Sequence, residues 1–220
     1  MALNDAHKDK RGRFVTFEGA DGAGKSTQAR LLVEALRQVG VDAVLTREPG
    51  GSPGAEQIRS LLVEGDVARW DAMTEALLHF AARRDHLLQT VWPALEAGKW
   101  VVSDRFVDST MAYQGYGHGL ERSRLEQLRA VAIGDFSPDL TIILDIPVEI
   151  GLNRAGVRNG NEDRYERMGA DFHRRLGAGF LEIAAREQER CAVIDAVGDI
   201  GLVHRSVLAA VEQRLGVICS

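Results

Sequence analysis

The stretch that decides the fold occupies residues 19–27 and reads Gly19-Ala20-Asp21-Gly22-Ala23-Gly24-Lys25-Ser26-Thr27. It matches the pattern G-x-x-x-x-G-K-[ST] and lies between a short β-rich run, residues 14–17, and a helical pattern. The glycines allow backbone N–H groups to turn inward around phosphate oxygens, and the following helix directs its positive N-terminal end at the same anion. Lys25 can reach the β- and γ-phosphates of a nucleotide, and the Ser26 hydroxyl can bind Mg²⁺. The stretch therefore predicts a loop that binds the phosphates of a nucleotide such as ATP, rather than a glycine-rich turn that merely joins two elements.

The composition limits the classes of function that the chain can have. Its 220 residues suit one domain with a large core, and 45% hydrophobic with 27% charged residues is ordinary for a globular protein. The formal net charge is −5 and the pI is near 5.7, so we expect binding neither to nucleic acid nor to an anionic membrane. The guanine-specific N-K-x-D stretch of GTPases does not occur in the sequence, which leaves ATPases and kinases open.

The chain ends and the cysteines indicate a cytoplasmic protein. Residues 1–12 are polar and lack the apolar region of a secretory signal, so we expect a flexible leader followed by a single domain at 13–220. Cys191 and Cys219 form neither a metal-binding nor a redox spacing, which favours a reduced, cytoplasmic setting. No apolar run approaches the ~18 residues that a membrane span needs.

Short β-rich runs alternate with longer helical patterns along the chain. The β-rich runs are residues 14–17, 43–46, 100–103, 140–144 and 191–194. The helical patterns are residues 25–39, 71–97 with a break or kink at Pro93, 121–133, 148–155, 171–189 and 201–215. This alternation predicts a five-stranded parallel sheet with helices on both faces. Residues 154–167 are rich in arginine, glycine and acids, which is typical of an exposed lid.

Five blocks occur in the same order as in a known family and cover about residues 13–200. They are Phe17 to Thr27, Arg47-Glu48-Pro49-Gly50-Gly51, Phe80-Ala81-Ala82-Arg83-Arg84, Asp104-Arg105-Phe106 through Tyr113-Gln114-Gly115, and Asp163-Arg164-Tyr165-Glu166. In these blocks the chain resembles the thymidylate kinases. The resemblance implies an α/β P-loop NTPase fold in three layers and the reaction ATP + dTMP → ADP + dTDP, a step in dTTP biosynthesis. It also implies Mg²⁺ as cofactor and a homodimer.

Charged residues follow the predicted strands where ligands bind in open parallel sheets. Arg47 and Arg105 could hold an acceptor phosphate by paired hydrogen bonds, with a surface ion pair as the alternative for either. Asp104 could hold a water on Mg²⁺ next to Ser26, or form an ion pair with a neighbouring arginine. The resemblance places Asp21 at the sugar 3′-hydroxyl and the metal shell, although it could be a helix N-terminal charge without substrate contact.

The predicted base pocket begins on the long helix. Phe80 and Arg84 are four residues apart and share a helical face, so the ring could stack on a pyrimidine while the guanidinium donates to O4. The resemblance assigns them those roles, with core packing as the alternative for Phe80. Thr110 and Gln114 are expected to complete the hydrogen bonds around the base, and Tyr113 to pack under the deoxyribose.

One position in this block departs from the family. The family often has aspartate where this chain has Arg83. We expect the adjacent Arg84 to satisfy the motif.

The lid supplies further candidates. None of the variable positions of the ATP-binding loop is basic, so the chain resembles the thymidylate kinases that take a catalytic arginine from the lid. Arg158 is the expected catalytic residue and Arg164 the alternative, while Arg154 could stack on adenine. Asp163, Tyr165 and Glu166 are expected to organise the lid and the substrate sugar. The alternative for these arginines is that they are solvated loop charges.

Two rival functions stay open. One is another kinase on this fold, such as a deoxynucleoside kinase or a broader pyrimidine monophosphate kinase. The other is an ATP-responsive binding module without turnover. Paired Arg47 and Arg105 favour a phosphorylated acceptor, and a second nucleotide pocket argues against a sensor.

Overall fold

The computed structural model describes residues 11–155, 164–165 and 167–219. The strands in these ranges are β1 Phe14–Glu18, β2 Ala43–Arg47, β3 Trp100–Asp104, β4 Leu140–Asp145 and β5 Cys191–Asp195. They form one sheet in the order β2-β3-β1-β4-β5, and every neighbouring pair is parallel. The predicted five-stranded parallel sheet is therefore confirmed.

Helices surround the sheet. They are α1 Lys25–Gln38, α2 Pro53–Val63, α3 Ala72–His86, α4 Trp92–Glu96, α5 Val107–Thr110, α6 Arg122–Ile133, α7 Val148–Ala155, α8 Ala170–Arg186 and α9 Ile200–Leu215. Two π-helical stretches, Leu87–Val91 and Met111–Gly117, follow α3 and α5. No helix in the described ranges is long and apolar enough to cross a membrane.

The sheet separates two apolar cores because successive side chains of a strand point to opposite faces. On one face Val15 and Phe17 of β1 pack with Leu32 of α1 and Val207 of α9. On the other face Phe14 belongs to a core built from α3, α4 and α6, and a third cluster lies under α8. Strands β1 and β4 are almost wholly buried, whereas the edge strands β2 and β5 are partly exposed. This is the three-layer arrangement that the β-α alternation predicts.

The long helical pattern is divided where proline interrupts it. Asp71 caps α3 by accepting hydrogen bonds from the N–H groups of Met73 and Thr74, at the predicted start. The π-helical stretch Leu87–Val91 then leads into α4, whose first turn holds Pro93. Proline lacks the N–H that a regular helix needs, so a change in the hydrogen-bond pattern is expected there.

Two helical regions are additional to those that the sequence predicts. Helix α2 begins with Pro53 in its first turn, a position that suits proline because its missing N–H would be unpaired there anyway. Helix α5 and the stretch Met111–Gly117 follow the third strand block and carry several predicted site residues on regular backbone. Both regions lie beside the carboxyl edge of the sheet.

Three strands end side by side at the carboxyl edge. Phe17 of β1 pairs in register with Asp104 of β3, and Asp104 pairs in turn with Arg47 of β2. The ATP-binding loop leaves β1 at this point and enters α1. The fold therefore brings together the loop, Arg47 and the Asp104-Arg105 pair, as expected for ligand binding in an open parallel sheet.

The described chain begins within the predicted leader. The N–H of Gly12 donates to the carbonyl of Leu95 at 2.9 Å, and the Arg11 guanidinium lies 5.5 Å from the centre of the Phe136 ring. Residues 1–10 lie outside the described residues.

Candidate active site

A cavity of about 520 Å³ lies at the carboxyl ends of β1, β2 and β3. Eleven lining residues are ones that the sequence predicts for the site: Asp21, Gly22, Gly24, Lys25, Ser26, Arg47, Asp104, Arg105, Tyr113, Gln114 and Tyr165. Eight others are Glu48, Pro49, Arg59, Val63, His79, Arg83, Phe106 and Ser109. The loop residues Gly19, Ala20, Ala23 and Thr27 flank this lining.

Lys25 lies at the floor of the loop. Its ammonium group donates to the carbonyl oxygens of Ala20 at 2.7 Å and Gly19 at 3.1 Å. Burial and the charge of Arg105 together lower the pKa of Lys25 to about 8, although Asp21 opposes the shift. A cation held in this way can interact with phosphate oxygens placed in the loop.

Gly22 allows the loop to approach α7 closely. Its φ is +78°, and a Cβ at this position would lie 2.0 Å from the carbonyl oxygen of Gly151. A larger residue would therefore clash with backbone as well as strain its own conformation. The bend that directs the loop's N–H groups inward thus depends on glycine here.

Ser26 and Asp104 form the oxygen-rich corner of the cavity. The Ser26 hydroxyl donates to Oδ2 of Asp104, while Oδ1 of Asp104 is buried without a hydrogen-bond partner among the described residues. The described ranges contain no group of three His, Cys, Asp or Glu side chains that could hold a metal. A hydroxyl and one carboxylate suit Mg²⁺, which keeps several waters and shares its binding with phosphates.

Asp21, Arg105 and Tyr113 form one connected group. Asp21 accepts hydrogen bonds from Arg105 at 2.5 Å and from the Tyr113 hydroxyl at 2.8 Å, and the guanidinium lies 5.1 Å from the centre of the Tyr113 ring. Burial alone would raise the pKa of Asp21, but Arg105 and Lys25 hold it below its usual range. The carboxylate is therefore ionised and is held by the side chains of Arg105 and Tyr113.

The backbone of Arg105 is in an unusual conformation. Its φ is +74°, in the left-handed region that residues with a side chain seldom occupy. Its N–H donates to the carbonyl of Phe17, and its Nη1 lies 3.2 Å from the carbonyl of Gly19. Such conformations persist where surrounding contacts determine them, which is common at functional sites.

Glu18 is linked to this group through Ser109, although the sequence motifs do not identify it as a site residue. Its carboxyl accepts hydrogen bonds from the N–H of Phe106 at 2.7 Å and the hydroxyl of Ser109 at 2.6 Å. Ser109 in turn accepts from Arg105 at 3.1 Å. Burial, together with the charge of Asp108, raises the pKa of Glu18 to about 8. Only the position of Glu18 next to the loop signals it in the sequence.

Arg47 lines the cavity and also forms an ion pair. Its guanidinium donates to both oxygens of Glu56, at 2.7 and 3.1 Å, and both side chains are nearly half exposed. The surface ion pair given as the alternative for Arg47 is therefore present. An exposed pair of this kind is weak, so it leaves Arg47 able to bind a phosphate instead.

The two residues of α3 that line the cavity each come one position before the two that the sequence predicts for the base pocket. His79 and Arg83 line the cavity, whereas Phe80 is buried in the core beneath α3. Arg84 is exposed, donates to the carbonyl of Ala132 at 3.2 Å and does not line the cavity. The placement of Phe80 and Arg84 in the base pocket is therefore wrong. His79 and Arg83 are also four residues apart, and the sequence alone does not show which face meets the cavity.

The Arg83 guanidinium forms several hydrogen bonds, but one of its nitrogen donors forms none among the described residues. Its Nε donates to Glu48 at 2.7 Å, and Nη2 donates to the carbonyl of Phe106 at 3.0 Å and to the Thr110 hydroxyl at 3.1 Å. Nη1 is buried and has no hydrogen-bond partner in the described part of the chain. Thr110, predicted to contact the base, instead lies behind Arg83 and is buried.

Gln114 and His79 complete this end of the cavity. Gln114 is fully buried and its amide nitrogen donates to Glu75 at 3.0 Å. His79 Nε2 lies 3.1 Å from the Tyr165 hydroxyl. Burial, together with Arg83 and Arg105, lowers the pKa of His79 to about 3, so its imidazole is neutral near pH 7.

The structure describes some of the predicted lid residues and not others. Arg158, Asp163 and Glu166 lie outside the described residues. Arg154 donates to the carbonyls of Ala196 and Val197, both at 3.2 Å, after strand β5.

Arg164 is not placed for catalysis. It is fully buried, forms an ion pair with Glu75 and donates to the carbonyls of Leu62, Asp66 and Val67. These contacts hold Arg164 against α2, α3 and the connection between them, and Arg164 does not line the cavity. The alternative catalytic role for Arg164 is therefore wrong.

A phosphate-binding loop, the oxygen pair of Ser26 and Asp104, and several arginines line one cavity at the carboxyl edge of a parallel sheet. These features define the class of P-loop phosphotransferases. The Thymidylate kinase family model matches residues 17–207. The chain belongs to the thymidylate kinase family.

Individual relatives agree with the family match. The chain is 54% identical over 204 residues to the thymidylate kinase of Ruegeria pomeroyi, covering 93% of this chain and 96% of that protein. It is 51% identical over 206 residues to the thymidylate kinase of Caulobacter vibrioides, covering 94% and 99%. The crystal structure of thymidylate kinase from Ehrlichia chaffeensis matches with a TM-score of 0.73 and 36% identity, over 91% of this chain and 99% of that one.

Proposed function

We propose that this protein binds ATP and dTMP in the cavity at the carboxyl edge of the sheet and transfers the γ-phosphoryl group to dTMP. As a thymidylate kinase, the protein is a transferase that phosphorylates dTMP to dTDP with ATP, in nucleotide biosynthesis. The observation that carries the assignment of the site is the run of the cavity from the Lys25 loop to Arg83 and Gln114. It provides room for a triphosphate at one end and a base at the other.

On the donor side, the loop residues 19–27 hold the ATP phosphates. Their N–H groups and the Lys25 ammonium interact with the β- and γ-phosphate oxygens. Ser26 and Asp104 hold Mg²⁺, which when bound supplies positive charge to the phosphate oxygens. The unpartnered Oδ1 of Asp104 supports this assignment. Arg154, next to the carbonyls that follow β5, contacts the adenine.

On the acceptor side, Arg105 and Arg47 hold the dTMP phosphate. Arg105 is kept in place by Asp21 and by the Ser109 hydroxyl, so its guanidinium needs little reorganisation. Asp21 and Tyr113 contact the deoxyribose, and the Tyr113 ring occupies the space that a 2′-hydroxyl would need. Such an arrangement disfavours ribonucleotides because the added hydroxyl would be buried unpaired.

The base is bound between His79, Arg83 and Gln114. Arg83 Nη1 is a buried donor and Gln114 Oε1 a buried acceptor, each without a partner among the described residues. A thymine edge offers the complement, with O4 as acceptor and N3–H as donor. The neutral His79 ring provides a flat surface next to the base, and Tyr165 fixes it through its hydroxyl.

The chemical step needs alignment more than covalent catalysis. An oxygen of the dTMP phosphate attacks the γ-phosphorus as the bond to the ADP oxygen breaks. No strong general base is needed, because a phosphate monoester is already anionic near neutral pH. Lys25 and Arg105 stabilise the charge on the transferred group, and Arg158 joins them from the lid at residues 154–167.

The test is a coupled ADP-release assay with dTMP, dUMP, dCMP, UMP and thymidine as acceptors. The proposal expects the highest kcat/KM with dTMP. Preference for thymidine would instead support a nucleoside kinase, and equal use of dCMP and UMP a broad pyrimidine kinase. ADP release that no acceptor stimulates would support an ATP-binding module and contradict the proposal.

We further propose that the protein forms a homodimer through the outer face of α3. This face exposes Leu77 and Ala81, and Leu88 of the π-helical stretch that follows α3 is exposed as well. Val131 of the neighbouring helix α6 is 89% exposed. Light scattering should give the mass of two 24.1-kDa chains, and Leu77→Glu should give one. Leu202→Glu, on the far side of the sheet, is the control and should leave the mass unchanged. A wild-type monomer contradicts this proposal.

A reducing, cytoplasmic setting is also proposed. Cys191 and Cys219 are both free and buried. Unpaired thiols of this kind are typical of proteins that work where disulfides are not formed. We expect the protein to be active in buffer that contains reductant. We also expect it to keep this activity after the reductant is removed, because burial protects the two thiols.

A further inference from the structure

Glu75, in the first turn of α3, is a buried carboxylate that contacts several polar side chains near the cavity. Its carboxylate is fully buried and forms an ion pair with Arg164. It also accepts from the Gln114 amide at 3.0 Å and from the Tyr165 hydroxyl at 3.3 Å, and His118 Nε2 lies 3.5 Å away. Glu75 does not line the cavity, so it can act on a ligand only through these neighbours.

The contact with Glu75 determines which way the Gln114 amide faces. An ionised carboxylate only accepts hydrogen bonds, so it attracts the amide NH₂ of Gln114 and repels the amide oxygen. The oxygen is therefore directed away from Glu75. Gln114 lines the cavity, and its Oε1 is buried with no partner in the described ranges. The pocket consequently presents an acceptor at Gln114, beside the donor that Arg83 Nη1 provides.

We propose that Glu75 is a positioning residue that fixes the Gln114 amide with its oxygen toward the ligand, and thereby makes the pocket select pyrimidines with an N3–H and a 4-oxo group. This inference rests on the proposed binding of the base between Arg83 and Gln114. Thymine and uracil present a donor to Gln114 and an acceptor to Arg83. Cytosine presents the opposite pair, an N3 acceptor and a 4-amino donor. Its acceptor would face the Gln114 oxygen, and its donor would face the Arg83 guanidinium.

The Glu75→Gln variant tests the proposal. A neutral amide can donate as well as accept, so Gln114 can turn over and offer its NH₂ to N3 of cytosine. We expect the ratio of kcat/KM for dTMP over dCMP to fall by about 5- to 100-fold, the range set by leaving a buried polar group unpaired. The ratio of dTMP to dUMP should stay unchanged, because these bases share the same edge. Both ratios are independent of the folded fraction, because all substrates meet the same preparation.

Two further variants separate this role from stability. Arg164→Lys disturbs the same ion pair but leaves the Glu75 carboxylate facing Gln114, so it should lower the melting temperature without changing the dTMP/dCMP ratio. The exchange Glu75→Gln with Gln114→Glu restores an acceptor at position 114 and should restore the preference for dTMP. It also carries the test if Glu75→Gln alone is not recovered folded.

The outcomes distinguish this inference from the proposed function. A wild-type protein that does not phosphorylate dTMP overturns the proposed function itself. If the wild type is active and Glu75→Gln lowers kcat/KM equally for dTMP, dUMP and dCMP, the positioning role of Glu75 is overturned. A dCMP preference in the exchanged pair would overturn it as well.

Discussion

Arg83 and Arg84 are adjacent residues with the same chemistry and opposite environments. Arg83 is 2% exposed and bonded to Glu48, Phe106 and Thr110, with one donor unpaired among the described residues. Arg84 lies on the outer face of α3, 5.0 Å from the centre of the Trp92 ring. Environment rather than residue type thus decides which arginine can contact a ligand.

Replacement of each arginine by methionine should show which of the two contributes to the use of dTMP. Arg83→Met should lower kcat/KM for dTMP by roughly 10- to 100-fold, since hydrogen bonds to charged groups contribute about 1.5–3 kcal/mol. Arg84→Met is the matched control and should change it by less than about threefold, because its partner carbonyl is reached from the surface. Steady-state kinetics with dTMP varied gives both values. Equal losses of kcat/KM in the two variants would show that Arg84 contributes to the pocket as much as Arg83 does.

Glu18 provides a pH-dependent contribution to stability. Its pKa is raised from about 4.5 to about 8, so the folded protein retains a proton that the unfolded chain releases. The free energy of unfolding should therefore decrease as pH rises through this interval, and Glu18→Gln should flatten the decrease. Urea titrations of both proteins between about pH 5 and pH 8 measure the two slopes. Parallel slopes would show that Glu18 does not retain the proton.

Helix α3 shows what a sequence pattern can and cannot establish at the scale of an element. Its start at Asp71 and the disturbance at Pro93 follow from capping and from the missing proline N–H. Its cavity-facing side does not, because Phe80 with Arg84 and His79 with Arg83 have the same spacing. The packing of Phe80 against the sheet core selects the second pair.

The same orientation of α3 predicts different effects for two neighbours. Phe80→Ala should destabilise the protein by about 3–5 kcal/mol, as expected for a buried aromatic side chain. His79→Ala should chiefly raise the KM for dTMP, with a small change in melting temperature. Thermal unfolding and steady-state kinetics on both variants check this. A KM effect confined to Phe80→Ala would reverse the assignment.

The segment at residues 164–165 behaves as an anchor. Arg164 donates to one carbonyl group of α2 and to two of the α2–α3 connection, and it pairs with the buried Glu75. Arg164→Ala leaves the Glu75 carboxylate buried without this partner, so we expect a loss of about 3–5 kcal/mol in the free energy of unfolding. Denaturant unfolding of the variant measures the loss. A stable variant with a selective fall in kcat would instead restore the catalytic interpretation.

At the scale of the whole molecule, the sequence predicts the sheet well and the site in part. The five β-rich runs are nearly continuous apolar stretches, which few other structures accommodate. The loop, Lys25, Asp104 and Arg105 are found because their motifs are local in the chain. Glu18, Glu48 and Glu75 are missed because their roles arise from contacts between distant elements, such as Glu75 with Gln114.

The net charge of −5 is compatible with binding two anionic ligands because the positive groups are local. Lys25, Arg47, Arg83 and Arg105 all line one cavity. An acidic surface elsewhere does not cancel these charges, since exposed charges more than about 10 Å apart are largely screened at 0.1 M salt. The lining of this cavity thus holds more cationic than carboxylate side chains, although the chain as a whole is acidic.

Chromatographic detection of dTDP and ADP, formed from ATP, Mg²⁺ and dTMP by the wild type and by Lys25→Ala, tests directly whether this cavity transfers phosphoryl groups to dTMP. We expect the wild type to form the two products in equal amounts. Lys25→Ala should form neither at a measurable rate while keeping its circular dichroism spectrum, since the loop loses its cation. ADP without dTDP from the wild type, or undiminished dTDP from folded Lys25→Ala, would contradict the assignment.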